Sequence, residues 1–280
     1  MNMMHDRFIQ TRHGRLHWLD SQSANDSQSA DLPPLILLHS AGGSAYEWQL
    51  VWTALSAQRR VLALDLPGHG DSDPLSRHYG IADYAAAVAE WIASIGLLHD
   101  GRDGRDGRDG KKPVLAGSSV GGSTTLCVAG KHAECVSRVV LVETPILSSE
   151  TWRRNWWHTE QMFGFTTQTM EENRSRFRNL SPEMLLRRNI DRNKAGVKTM
   201  MGTLWAIREF DALTAITQMQ VPALAIVGVR GPIQDGVRLL EQYAGGAQRI
   251  AVMPDCGHFP HIDDPELFVR EMLRLLALQD

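Results

Sequence analysis

Short apolar runs alternate with segments of helical spacing along most of this chain. Each run is hydrophobic at consecutive positions, so a strand formed from it would bury both faces, as strands of a parallel sheet do. The runs occupy residues 34–40, 60–68, 113–119, 138–145, 222–229 and 249–258. Helical spacing lies between them, as at 81–95, and closes the chain at 265–278. This order predicts an α/β protein with a mainly parallel central sheet flanked by helices.

Two segments interrupt the alternation. The first is GRDGRDGRDG at 101–110, a three-residue repeat of balanced charge without apolar side chains, which we interpret as a mobile loop away from the ligand-binding edge of the sheet. The second, 148–220, lacks a good strand pattern and is rich in helix-forming residues, which predicts a helical cap or lid. We therefore expect a core formed by 1–147 and 221–280, with the cap inserted between its two parts.

Composition narrows the classes of function. The 280 residues carry a formal net charge of -3 and are 43% hydrophobic, as in ordinary soluble enzymes. Nothing in this charge points to nucleic acid, and no apolar stretch approaches the roughly 18 residues that cross a bilayer. The first residues lack the apolar segment of a signal peptide, and the three cysteines are widely spaced. We expect a cytoplasmic protein that acts on neither nucleic acid nor membranes.

The stretch AGSSVGGS, residues 116–123, carries a catalytic motif. Ser119 is the central residue of a G-x-S-x-G frame that runs from Gly117 to Gly121, whereas Ser118 is out of register. The two glycines leave room for a tight turn that exposes the serine hydroxyl at the start of a helix. An apolar run precedes the motif and a helix-compatible stretch follows it. This context predicts that Ser119 is a nucleophile rather than part of a simple glycine turn.

Three further motifs follow predicted strands. HSAGGS begins at His39, DLPGHGDSD begins at Asp65, and PDCGHFPHIDDPELF brings His258 between the last strand and the final helix. Together with the serine motif, they make the sequence resemble the α/β-hydrolase fold superfamily, and specifically its cap-bearing serine esterases. The resemblance extends from about Phe8 to the C-terminus.

The resemblance implies roles for the matching residues. It makes Ser119 the nucleophile and His258 the general base, and it assigns the oxyanion hole to the backbone N–H groups of Ala41 and Val120. A serine hydroxyl becomes an effective nucleophile only when a positioned imidazole takes its proton, and the same imidazole then protonates the leaving group.

Other residues in these motifs are weaker candidates for catalytic roles. His261 is the second choice for the base because the resemblance places the catalytic histidine first in GHFPH. His39 and His69 match loop positions that are usually structural in the family. Ser40 replaces the glycine that is usual in the oxyanion loop, a change that leaves the backbone donor of the next residue in place.

The usual triad acid is missing. Many members of the family carry an aspartate three residues beyond a strand-ending glycine, where this chain has Gly231. Glu143 ends the strand after the nucleophile's helix and is the predicted replacement, because it should emerge at the same sheet edge as Ser119. Haloalkane dehalogenases, among other members of the fold, carry their acid there. Asp235, a site without a protein acid, and a Glu143 that binds only backbone groups remain open alternatives.

The predicted cap should select the substrate. Trp152, Trp156, Trp157 and Phe163 are predicted to line a pocket for an apolar acyl group, although they would serve equally to pack the cap on the core. Basic residues cluster further along the cap. A solvated helix face is the expected interpretation, and recognition of an acidic substrate or an acidic acyl carrier is the alternative. These residues are Arg174, Arg176, Arg178, Arg187, Arg188 and Arg192.

These patterns predict a serine hydrolase that cleaves a carboxylic ester, thioester or lactone with a partly apolar acyl group through an acyl-enzyme intermediate. The expected partner is a small-molecule acyl substrate. No metal or organic cofactor is implied, because the sequence has neither a ligand cluster nor a phosphate loop. Two alternatives remain. One is C–C bond hydrolysis or a lyase-type reaction at the same site, and the other is a catalytically inactive ligand-binding receptor, suggested by the missing aspartate.

Overall fold

The computed structural model describes residues 3–22, 32–98, 111–231, 239–242 and 249–278. Within these ranges an eight-stranded sheet has the order β1-β2-β4-β3-β5-β6-β7-β8. The repeat at 101–110 and the alternative acid Asp235 lie outside the described residues. The strands are β1 His5–Thr11, β2 Gly14–Asp20, β3 Leu35–Leu38, β4 Val61–Leu64, β5 Val114–Ser118, β6 Arg138–Val142, β7 Ala223–Gly228 and β8 Ile250–Met253.

The six apolar runs all form strands, and the strands from β4 through β8 pair in parallel. The predicted α/β class with a mainly parallel sheet is therefore confirmed. An antiparallel hairpin, β1 with β2, extends the sheet and pairs with β4 through β2. The hairpin turns at Gly14, whose φ of 99° lies in the region that favours glycine.

Helices cover both faces of the sheet. On one face α2 and α3 bury apolar side chains such as Trp91 and Val128 against Ile36 and Leu38. On the other face α1 and the C-terminal helix α9 pack on Leu35 and its neighbours. Alternate residues of β3 thus enter opposite cores, which explains why the strand is apolar throughout. The helices outside the predicted cap are α1 Gln49–Ser56, α2 Ile81–Ser94, α3 Val120–Lys131, α8 Pro260–Asp263 and α9 Pro265–Leu276, with 3₁₀ turns at Ala45–Trp48 and Ala133–Cys135.

The segment between β6 and β7 is helical. It includes residues 148–220, which we call the insert, and its helices are α4 Ser149–Phe163, α5 Met170–Asn173, α6 Pro182–Glu209 and α7 Ala212–Thr217. The side chains of Ser148, Thr169, Ser181 and Asp211 each accept a hydrogen bond from a backbone N–H in the first turn of the helix that follows, which accounts for the helix starts. Gly196, with φ 72° and ψ 160°, interrupts α6. Among the described residues, no helix is both long and apolar enough to span a membrane.

Candidate active site

Ser119 lies at a strained turn between β5 and α3. Its φ of 55° and ψ of −113° are unusual for a residue with a side chain. A Cβ atom at Gly117 would lie 2.1 Å from the carbonyl oxygen of Gly121, and one at Gly121 would lie 2.5 Å from that of Leu38. Both motif glycines are therefore required by close backbone approach. Ser118 is fully buried on β5, whereas Ser119 remains 8% exposed.

Glu143 is the neighbour of Ser119 across the sheet edge. The pairing of β5 with β6 aligns Ser118 with Val142, which are the last residues of the two strands. Ser119 and Glu143 follow them at equivalent positions. Both of these following residues have positive φ, 55° for Ser119 and 44° for Glu143. The Glu143 carboxylate is completely buried, and its Oε1 accepts a hydrogen bond of 2.7 Å from the backbone N–H of Gly228 at the end of β7.

The second carboxylate oxygen of Glu143 meets His258. The His258 Nδ1 atom lies 3.1 Å from Glu143 Oε2. Because a carboxylate in this buried pair can only accept, the proton is assigned to Nδ1, and Nε2 is left with its lone pair. Within the described residues, the Ser119 hydroxyl and the His258 ring do not hydrogen-bond to each other. Such bonds are often long without substrate and tighten when it binds.

The loop that carries His258 is fixed on both sides. The His258 backbone N–H donates to the Arg176 carbonyl oxygen of the insert at 3.0 Å. The Gly257 N–H donates to Asp263 Oδ2 at 2.7 Å, and Asp263 Oδ1 also accepts from the N–H of Arg178. The core and the insert therefore hold this histidine together.

The oxyanion loop after β3 is also tightly bonded. The Leu66 N–H donates to His39 Nε2 at 3.0 Å, so His39 Nδ1 carries the proton and donates to the Ser40 carbonyl at 2.8 Å. His39 thus shapes the loop, which fits the structural position that the resemblance gives it. Ala41 and Val120 are buried, and within the described residues their backbone N–H groups donate to no protein acceptor.

Glu47 anchors the same loop, and the sequence analysis did not identify it. Its fully buried carboxylate accepts hydrogen bonds from the Ser40 N–H and hydroxyl, and it lies 3.2 Å from Arg188 Nη1 and 3.5 Å from His261 Nε2. Burial alone would raise the pKa of Glu47. The nearby His261 ring and the charge of Arg188 instead hold the pKa of Glu47 well below its usual value.

The aromatic residues of α4 occupy different environments. Phe163 is buried, and Trp152 and Trp156 are partly buried against the core. Trp157 is 54% exposed and contacts His158, so the structure does not bring it together with Phe163. Pocket lining by these four residues stays a prediction, and Trp157 has the weakest geometric support.

The expectation of a solvated arginine face is wrong for half of that set. Arg174 and Arg178 are exposed and Arg187 is intermediate. Arg176, Arg188 and Arg192 are instead buried, with 9%, 4% and 1% exposure. The physical reason is that these side chains pack on Phe163 of the insert and Phe259 of the core, whose ring centroids lie 4.3–5.3 Å from the guanidinium groups.

One group of possible metal ligands occurs among the described residues. His17, Asp65 and Asp71 offer ligand atoms within 4.8 Å of one another. The Asp65 carboxylate, however, already accepts from the N–H groups of Ala45 and Asp71, and it lies 2.7 Å from His17 Nδ1. These contacts hold the DLPGHGDSD loop, so the cluster has a structural explanation without an ion.

Residues 35–271 match the Alpha/beta hydrolase family. Because the match spans most of the chain, and because the fold and the serine turn agree with it, the protein belongs to that family. Solved structures share the architecture. The enol-lactonase from Burkholderia xenovorans LB400 superposes with a TM-score of 0.75 at 21% identity. The match covers 97% of this chain and 100% of the enol-lactonase chain. A lipase described as putative from Acinetobacter baumannii AYE reaches 0.79 at 16% identity, with 98% and 91% covered. These similarities concern the fold alone.

Two curated relatives that match over most of their length are named as an esterase and a hydrolase. Pimeloyl-[acyl-carrier protein] methyl ester esterase from Vibrio vulnificus is 27% identical, covering 86% of this chain and 93% of the esterase. A 2-hydroxy-6-oxo-6-(2'-aminophenyl)hexa-2,4-dienoic acid hydrolase from Metapseudomonas resinovorans is 26% identical over 87% and 84%. A dihydrolipoyllysine-residue acetyltransferase component from Pseudomonas putida is 27% identical over 87% of this chain, which spans only 63% of that relative.

Proposed function

We propose that this hydrolase uses Ser119, His258 and Glu143 as a catalytic triad. The observation that carries the proposal is the 3.1 Å contact between His258 Nδ1 and a buried Glu143 carboxylate, whose other oxygen is fixed by Gly228. A carboxylate in this position holds the imidazole in the tautomer that accepts a proton at Nε2, and it stabilises the imidazolium formed during reaction.

The reaction follows from these positions. Ser119 Oγ attacks the carbonyl carbon while its proton moves to His258 Nε2, and the negative oxygen is stabilised by the N–H groups of Ala41 and Val120. The tetrahedral intermediate breaks its bond to the leaving group, which takes the proton from His258. Water then attacks the acyl-enzyme and gives a proton to His258. The second tetrahedral intermediate breaks its bond to Ser119 Oγ, which takes that proton from His258, and the carboxylic acid is released.

The proposed substrate is a carboxylic ester, thioester or lactone with a partly apolar acyl group. The methyl ester esterase among the relatives supports ester hydrolysis, and buried Phe163 offers apolar surface. C–C bond hydrolysis is the second candidate, because one relative is named as a dienoic acid hydrolase. An acyl carrier is the alternative form of substrate, and the exposed Arg174 and Arg178 are the residues that would meet it.

Labelling with a fluorophosphonate probe, followed by a panel of p-nitrophenyl esters of graded length beside lactones and acyl-thioesters, tests the proposal. We expect labelling of the wild type and of Ser118→Ala, and none of Ser119→Ala. A folded wild-type protein that neither reacts with the probe nor cleaves any acyl compound would instead be the inactive receptor.

A further inference from the structure

Arg176 is a buried cation without an anionic partner. Its side chain lies in the interior, yet within the described residues its guanidinium donates no hydrogen bond and forms no ion pair, and Nη1 is both buried and unpartnered. Burial lowers the pKa of Arg176 well below its usual value, and the positive charges of Arg188 and Arg192 lower it further. A buried charge of this kind is costly unless another group pairs with it.

The neighbouring groups do not supply that pairing. Among the described carboxylates, Glu47 acts on Arg176 through its charge, but its oxygens already bind the Ser40 N–H and hydroxyl and Arg188 Nη1. Arg192 donates only to carbonyl oxygens of the insert, those of Met162, Phe165 and Thr166, and its Nη1 is also buried and unpartnered. Within the described residues, neither Arg176 nor Arg192 therefore has a carboxylate at ion-pair distance.

The aromatic rings near Arg176 compensate only in part. The guanidinium lies 4.9 Å from the Phe259 ring centroid and 5.2 Å from that of Phe163. A cation–π contact is weaker than a charge-assisted hydrogen bond, and a ring face accepts no directed N–H···O bond. The rings therefore leave Nη1 without a hydrogen-bond acceptor.

The location of the unpaired charge connects it to the proposed catalytic site. The Arg176 carbonyl binds the N–H of His258, and the Phe259 ring beneath its guanidinium contacts the His258 ring at 4.9 Å between centroids. Arg192 lies near the proposed oxyanion loop. Its Cγ atom would be 3.2 Å from a Cβ atom placed on Gly42, the residue after Ala41. The arginines thus lie between the loop of the proposed base and the loop of the proposed oxyanion hole.

We propose that Arg176 binds a free carboxylate of the substrate, so that the natural substrate is an ester or lactone whose acyl part also bears an acidic group. This inference rests on the proposed function for the position of the scissile bond. A planar guanidinium can bind a carboxylate through two parallel N–H···O bonds, and a bound carboxylate would provide the missing counter-charge. Arg192 Nη1 is the second available donor.

Two esters of equal acyl length test this inference, mono-p-nitrophenyl glutarate and p-nitrophenyl pentanoate. We expect the wild type to prefer the glutarate ester at least tenfold in kcat/KM. In Arg176→Gln this preference should fall to about one, because the variant no longer has the donors that distinguish the acidic ester from the neutral one. Arg154→Gln removes an exposed arginine elsewhere in the insert and should keep the preference within about twofold. A wild-type preference near one, or an unchanged preference in Arg176→Gln, would overturn the inference.

Binding without turnover separates this inference from the proposed function. In Ser119→Ala, sodium glutarate should raise Tm, whereas sodium chloride of equal ionic strength should not, and Arg176→Gln should abolish the glutarate effect. If Ser119 proves inert toward the fluorophosphonate probe, this measurement still decides the role of Arg176. Esters cleaved without any glutarate-specific shift would leave the proposed function intact and refute the carboxylate site.

Stability distinguishes a ligand-binding arginine from a structural one. Removing an unpaired buried charge should raise Tm in Arg176→Met, since the folded protein no longer bears the desolvation cost. Arg176→Lys keeps the charge but loses the planar pair of donors, so it should fold and lose part of the glutarate preference. A drop in Tm of several degrees in both variants would identify a structural role and overturn the inference.

Discussion

Glu143 occupies the space that a side chain at Gly231 would need. A Cβ atom on residue 231 would lie 2.3 Å from Glu143 Oε2 and 2.4 Å from Oε1. An aspartate at 231 and Glu143 in its present place therefore exclude each other. The carboxylate after β6 therefore requires a residue without a side chain at position 231, the position where the family usually carries its acid.

The first prediction concerns the proposed acid. Glu143→Gln keeps the shape of the side chain but removes the charge that would stabilise the His258 imidazolium, so kcat should fall by about 10²- to 10⁴-fold while Tm changes little. Steady-state hydrolysis of a p-nitrophenyl ester measures it. Asp235→Asn is the matched control and should change kcat little, and a larger loss from that control would transfer the role to Asp235.

A second prediction follows from the shared space. Gly231→Asp alone should be poorly active, because its carboxylate collides with that of Glu143. Combining it with Glu143→Ala should restore at least about tenfold in kcat over either single variant, since the acid then approaches His258 from the position usual in the family. If the double variant is no better than Glu143→Ala, the two positions are not interchangeable sources of the acid.

The third prediction separates the adjacent serines. Ser119→Ala should lose about three or more orders of magnitude in kcat, because no other hydroxyl at this turn is exposed. Ser118→Ala changes a fully buried side chain on β5 and should lose far less. Equal losses, measured with the same ester at equal Tm, would mean that the predicted register of the motif is wrong.

A fourth prediction concerns Glu47 and pH. Glu47→Gln leaves the buried Arg188 without its charged partner, so the free energy of unfolding at pH 7 should fall by about 3 kcal/mol or more. Because folding depresses the pKa of Glu47, its contribution is fully present above the unfolded value of about 4.3 and is lost as pH falls toward the folded value. Urea unfolding should therefore show the gap between wild type and variant narrowing below about pH 4.

Exposed Glu150 provides the control for that experiment. Its contact with Arg154 lies on the surface, with both side chains about three-quarters exposed, so Glu150→Gln should change the free energy of unfolding by less than about 0.5 kcal/mol. A constant gap between wild type and Glu47→Gln across the acid range would argue against a depressed pKa at Glu47.

The fifth prediction tests an acidic acyl carrier. If a carrier docks on the insert, reversing the charge of both Arg174 and Arg178 should raise KM for a carrier-linked ester about tenfold, and added salt should raise the wild-type KM. The same acyl group as a small ester should show neither effect. Equal KM values for the carrier-linked substrate in both proteins would exclude these arginines from carrier recognition.

The sheet was predictable because its signal is local. Six apolar runs of strand length, each buried on both faces, can form little other than a parallel sheet, and all six became strands. The β1–β2 hairpin was missed even though its signal was present, since exposure alternates along β1 and Gly14 provides the turn. The residues of β1 and β2 are less apolar than those of the six runs, so the pattern that identified the other strands did not identify these two.

The buried charges were harder to predict. Arg188 and Arg192 lie one helical turn apart on the α6 face that also buries Met184 and Ala195, so helical periodicity alone would have placed them inside. Composition argued for a solvated face instead, because arginines are seldom buried. Glu47, the counter-charge of Arg188, lies more than a hundred residues earlier in the chain, and only the tertiary fold brings it there.

Gly196 divides α6 into two helical segments. In an unbroken helix, the direction in which each side chain points depends on the number of residues before it. A residue inserted or deleted in the first half would therefore rotate every side chain of the second half by about 100° around the helix axis. The non-helical backbone at Gly196 removes this constraint. The half that carries Arg188 and Arg192 can therefore change in sequence and length while the half that contains Leu204 and Ile207 keeps its packing on the core.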